Sequence, residues 1–284
     1  MRPGSLPDPG AASTLRYHSG SRMRRPATGV LSARRPALPS LDSVDELRLR
    51  LIAVPLALVI GALFSRSGLG HALQRMFFGM PLHELGHALT ALALGFPAFP
   101  LPWFTPMAES RSPVLVGLLL GVATGLFFLG RTSGRQSWKV VGVVLGAVVL
   151  LGLLPETRTA RALISFAGDA GALVLSTALI CTVFSGEESP FRRGALRWGL
   201  LVIGAAAFSD VASVWWAARR DPAEIPLGQL EGAGLSDASV LVETHGWTEQ
   251  ALVSRYLAVV GVCLVVLAVV WTLRALRPLL LARE

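Results

Sequence analysis

Charge is scarce in this sequence. Of 284 residues only 15% are Asp, Glu, Lys or Arg, against about 25% in an ordinary globular domain. A soluble domain of this length could bury a large core, but it would need far more polar surface to cover it. Lysine is nearly absent: Lys139 stands alone beside 25 arginines. The net charge of +8 is also unevenly placed. Residues 1–50 hold nine arginines against Asp8, Asp42, Asp45 and Glu46, a net of +5, which leaves +3 for the other 234 residues. No basic stretch is interleaved with aromatics, so a nucleic-acid partner is not expected. Cysteine is as scarce. Cys181 and Cys263 lie far apart in apolar runs, which excludes a disulfide framework and cysteine-based metal spacing. Both read as small buried hydrophobes.

Apolar residues fill the gap. They make up 52% of the chain, and the mean hydropathy is +0.58. Residues 1–46 are the exception. Rich in Arg, Pro, Ser, Gly and Ala, they hold too few large apolar groups to form a core and are expected to be a disordered tail. The tail has no secretory h-region. It superficially resembles a transit peptide, or it is an upstream extension of a chain starting at Met23.

The remainder, 47–284, reads as one integral membrane domain with about seven apolar segments: 51–64 (extendable to Leu47), 73–96, 113–130, 138–154, 160–184, 195–217 and 252–273. In lipid such segments must be helices, because their backbone groups find no water to bond. The expected fold class is an all-α polytopic membrane protein of about six to seven transmembrane helices. Glycines in the third, fourth and sixth segments suit close helix packing. Arginine placement does not settle the orientation, because the tail and the inter-span loops point to opposite sides.

Two connections stand out. Residues 97–112 hold four prolines and cannot be a regular helix; they are either a stiff surface loop or an extended or re-entrant segment lining a site. Residues 218–251 form a small acidic cap in which Ser236 or Asp237 starts a short helix through Val242 and Thr248 caps the run into the last span.

The chemistry concentrates at His83-Glu84-Leu85-Gly86-His87 in the second segment. Histidines four apart share one helix face and can grip one Zn²⁺, with the glutamate beside it. The acidic residues inside predicted spans are Glu84, Asp169 and Asp210. Ionisable groups there are costly and so mark candidate sites. A catalytic zinc takes three protein ligands and leaves one position for water. Asp169, about ten residues into its span among Gly168, Ala170 and Gly171, is the first choice for the third. Asp210 is the second choice, or else orients a ligand histidine. His71 and His245, at or near segment ends, read as surface residues. Glu84 is the expected general base toward a zinc-activated water. A carboxylate oxygen about 3–4 Å from both imidazole nitrogens would identify the third ligand.

His83, Glu84 and His87, followed by Ala88, together with Asp169-Ala170-Gly171 on a later span, resemble the site-2 protease class of intramembrane zinc metallopeptidases, the M50 peptidases. The second motif departs from the family's usual Asp-Gly-Gly. The resemblance covers two short patches within about 75–180. It implies a multi-pass enzyme, in a bacterial cytoplasmic membrane, that cleaves transmembrane or membrane-proximal peptide bonds of membrane substrates. Two other readings stand beside it: a zinc hydrolase of lipid-like substrates, and a non-catalytic polytopic protein such as a transporter component or degenerate scaffold.

Overall fold

The computed structural model describes residues 41–186, 189–192, 195–230 and 234–276. The expectations for the tail up to residue 40, including a start at Met23, lie outside the described residues. The described chain is almost wholly helical: α1 (Leu41–Phe64), α2 (Gly68–Gln74), α3 (Met80–Ala93), α4 (Pro113–Thr132), α5 (Gln136–Gly152), α6 (Thr157–Cys181), α7 (Leu196–Ala218), α8 (Asp237–Ser239) and α9 (Glu249–Trp271). Two strands of two residues, β1 (Gln229–Leu230) and β2 (Gly234–Leu235), pair antiparallel before α8. Helix α1 begins at Leu41, so the last residues assigned to a disordered tail are helical. Both Arg50, one turn on, and Arg197 of α7 reach the Glu46 carboxylate and tie this end to the bundle.

Among the described residues five helices are long and apolar enough to cross a membrane: Glu46–Phe64, Pro113–Thr132, Thr157–Phe184, Leu196–Ala218 and Glu249–Leu276. Their outward faces carry the apolar side chains. Leu118, Val202, Val262 and Val265 are each more than half exposed, an exterior that water would not tolerate over so large an area. The expected fourth and second spans are shorter. Helix α5 has 17 residues and α3 has 14, about 21 Å at 1.5 Å per residue.

Helix α3 is short because the chain ahead of it is not regular α-helix. Pro81 lacks an N–H, and its ring would clash with the carbonyl four residues back. The turn Arg75–Gly79 is widened to a π-helical one, with the Met80 N–H reaching back to Arg75 O. This turn sets Arg75 facing the interior.

Helix α3 packs antiparallel to α6. His83 lies beside Asp169, while His87 lies beside Ile164. Gly86 and Gly171 form the crossing. A Cβ on Gly171 would come within 2.6 Å of Gly86 Cα, and one on Gly86 would overlap Ala167 O. Helices α7 and α9 pack on the other side of α6, and α1 packs against α7. The core there is built on Leu173, Trp215, Leu252 and Tyr256, all nearly fully buried. Helices α4 and α5 form a hairpin, with Gly142 against Ala123 and Phe127.

Candidate metal centre

Both motif histidines lie on the α3 face turned to α6, and Gly168 makes room for them. A Cβ there would meet His87 Nε2 at 2.6 Å and His83 Nε2 at 2.7 Å. The Nδ1 of each ring is occupied on the α6 side. His87 Nδ1 donates to Ile164 O at 2.7 Å. That carbonyl can only accept, so the proton is on Nδ1 and the neutral ring presents a lone pair at Nε2. His83 Nδ1 lies 2.8 Å from Asp169 Oδ1, and donation to that carboxylate fixes the same tautomer. The two Nε2 atoms are 3.1 Å apart.

The atom that meets both is Asp237 Oδ2, 2.9 Å from His83 Nε2 and 3.0 Å from His87 Nε2. With neutral imidazoles, three lone pairs face one another within about 3 Å and no proton lies between them. A cation at their focus would relieve that repulsion. Tetrahedral ligands around Zn²⁺ at 2.0–2.1 Å stand about 3.3 Å from one another, close to the separations here. His83, His87 and Asp237 are therefore a group able to hold a divalent metal ion.

Asp237 is delivered by the acidic cap. Ser236 caps α8 by accepting from Ser239 N–H at 3.2 Å, as its sequence position suggests, and the helix runs on as a π-helical turn, Val240–Thr244. Ala238 and Leu241 anchor it in the core. Ser236 Oγ also donates to Pro226 O, and Ser239 Oγ accepts from Gly228 N–H, each at 2.8 Å. Burial alone would raise the Asp237 carboxyl. Where the rings carry a proton on Nε2 as well, their hydrogen bonds to Asp237 outweigh burial and hold the group well below the usual carboxylate range, the ionised form that a metal at the same place also requires.

Asp169, the expected third ligand, occupies another position. Its Oδ1 is on the Nδ1 side of His83, away from Nε2, and also accepts from Arg75 Nη1 at 3.0 Å. Its Oδ2 accepts from the Trp215 indole N–H at 2.9 Å. The carboxylate is buried and fully partnered, oriented toward the back of the histidine rather than the focus. Asp210 stands farther off. It bonds His71 Nδ1 at 2.6 Å and approaches neither motif histidine, and its other oxygen, Oδ2, has no hydrogen-bond partner among the described residues. His71, expected at the surface, is nearly half exposed but paired. His245 is outside the group.

Glu84 is buried. Its Oε2 accepts from the Thr105 hydroxyl at 2.7 Å, and that hydroxyl also lies 2.9 Å from Glu84 O. Thr105 belongs to the proline-rich connection, which folds into a short hairpin. Ala98 and Met107 form its bridge, and Leu101 N–H bonds Phe104 O. Of the two readings of this connection, lining a site is the one the structure takes. Trp103, Phe104 and Met107 wall a cavity of about 550 Å³ whose floor carries His83, Glu84 and His87. Pro226, Leu235 and Asp237 of the cap close the opposite wall.

Compared with protein-family models, curated proteins and solved structures, the chain matches none.

Proposed function

We propose that this is an intramembrane zinc-dependent endopeptidase, similar in chemistry to the site-2 proteases, with His83, His87 and Asp237 as the metal ligands and Glu84 as general base. The observation that carries the reading is the convergence of His83 Nε2, His87 Nε2 and Asp237 Oδ2 within 2.9–3.1 Å, with both Nδ1 atoms already engaged. In this reading α5 and the run from α2 through α3 add to the five long helices to give six to seven crossings.

Zn²⁺ bound by these three groups would lower the pKa of a water and polarise a peptide carbonyl. The chain's own residues do the rest. Glu84 keeps Oε1 without a hydrogen bond among the described residues while Thr105 holds Oε2. Oε1 is thus the atom to take a proton from the attacking water and return it to the leaving amine. Asp169 holds the His83 tautomer, and Arg75 and Trp215 hold Asp169. The apolar side chains Trp103, Phe104, Met107 and Leu235 suit a hydrophobic peptide and thin out water around the reaction.

The test is a transmembrane-peptide cleavage assay in vesicles, with zinc content measured in parallel. Wild-type protein should hold one zinc and cleave, and Glu84→Gln should hold zinc without cleaving. Turnover of lipid with no peptide cleavage would instead favour the lipid-hydrolase reading. Cleavage undiminished in Glu84→Gln would end the proposed mechanism.

A further inference from the structure

A second cavity, of about 600 Å³, opens between the first turns of α6 and α9 and the chain just ahead of α9. Its rim is cationic. Arg158 and Arg255 line it, both exposed, together with His245. Among the described residues neither arginine has a carboxylate partner. Arg158 donates only to Thr244 O, at 3.3 Å, and the Arg255 guanidinium lies 3.8 Å from the centre of the Trp247 ring. Burial, and then the Arg158 and Arg161 guanidiniums, hold the His245 imidazole below its ordinary range. Below the rim the lining turns apolar: Leu163 and Phe166 from α6, Ala258 and Val259 from α9.

The placement along the helices gives this combination a meaning. Thr157–Phe184 and Glu249–Leu276 are both candidate spans, and the cavity is lined by residues from the first ten or so of each. With both spans crossing a membrane, the arginines would sit near headgroup level, and the apolar floor would descend toward the acyl chains. Basic pockets between transmembrane helices at that level suit acidic lipid headgroups. A zwitterionic lipid brings a choline cation to a rim that is already positive, and a free phosphate leaves the floor empty.

We propose that this cavity is a binding site for one anionic phospholipid, with the phosphate between Arg158 and Arg255 and an acyl chain along Leu163 and Val259. The Phe166 ring, 4.5 Å from that of Tyr256, separates the lipid from the metal cavity, which Tyr256 lines. The site uses none of the residues of the HELGH centre, and it stands whether or not that centre cleaves peptides.

The experiment takes the full-length protein reconstituted in vesicles of equimolar phosphatidylcholine and phosphatidylglycerol, extracts it gently, and identifies the retained lipid by native mass spectrometry. One phosphatidylglycerol per protein is expected, enriched over phosphatidylcholine. Arg158→Gln with Arg255→Gln should cut that enrichment roughly tenfold. Leu163→Trp, which keeps both charges but fills the floor, should lose the lipid as well. Glycerol 3-phosphate added during extraction should not displace it. Equal retention of the two lipids by the wild type, unchanged retention in either variant, or displacement by glycerol 3-phosphate overturns the proposal.

Discussion

Asp237 Oδ2 lies 2.9 Å from His83 Nε2, across 154 residues of chain. The donor that completes the candidate centre thus comes from the polar cap, while the carboxylate of the long apolar helix α6 lies behind the ring. The two aspartates are expected to fail differently. Asp237→Ala should abolish stoichiometric zinc. Asp169→Asn keeps the three converging donors and should weaken affinity about 10–100-fold, so that excess zinc restores occupancy. Zinc titration of the purified variants separates the two, and full occupancy in Asp237→Ala would refute the assignment.

Thr105 fixes one Glu84 oxygen through its hydroxyl. Thr105→Val keeps the shape and removes the donor. Peptide cleavage should fall while zinc content stays the same, and Thr105→Ser should recover most of the rate. For comparison, Glu84→Gln should cost about 10²–10⁴-fold if general-base catalysis is what it loses.

Gly168 faces both imidazoles closely enough that a methyl group would meet them at 2.6–2.7 Å. Gly168→Ala should displace the rings, with an overpacking cost of about 1–3 kcal/mol and loss of zinc. Thermal unfolding in detergent and elemental analysis would read the two effects. Gly117, whose added Cβ would meet nothing within 4 Å, is the control, and Gly117→Ala should change neither.

Arg75 is the cation beside buried Asp169, at 3.0 Å. Arg75→Met leaves a buried carboxylate without that charge, a change that costs about 3–5 kcal/mol where it breaks a buried pair. A large drop in melting temperature is expected. Replacing Asp169 by Asn in the same protein should recover part of it, because the uncompensated charge is then removed, and a double-mutant cycle measures the coupling.

The parts of this architecture set by local patterns were legible in the sequence. The histidine spacing put both rings on one face of α3, the composition marked the helices long and apolar enough to cross a membrane, and Ser236 and Thr248 capped α8 and α9 as their positions suggest. Asp237 was not legible as a metal donor. It sits at the start of a three-residue helix in a polar loop, where an aspartate reads as a capping residue, and nothing local records that the loop folds back onto α3. Asp169 drew attention because a carboxylate deep in a span needs partners. The inference of a partner was sound, but Arg75, Trp215 and His83 Nδ1 supply it. The π-helical turn that aims Arg75 was likewise hidden, since Pro81 at a helix start is unremarkable by itself.

The contact of Gly86 with Gly171 also limits how the site can move. Two bare backbones touching leave no side chains to slide or repack between them, so α3 and α6 act as a fixed anvil that holds the histidines in register. Under the proposed peptidase reading, room for a polypeptide has to come from the walls that rest on it, the hairpin bearing Thr105 and the cap bearing Asp237. A wall that swings away with Asp237 takes a metal donor with it, so access through the cap would loosen the centre, whereas access past the hairpin would leave all three donors in place.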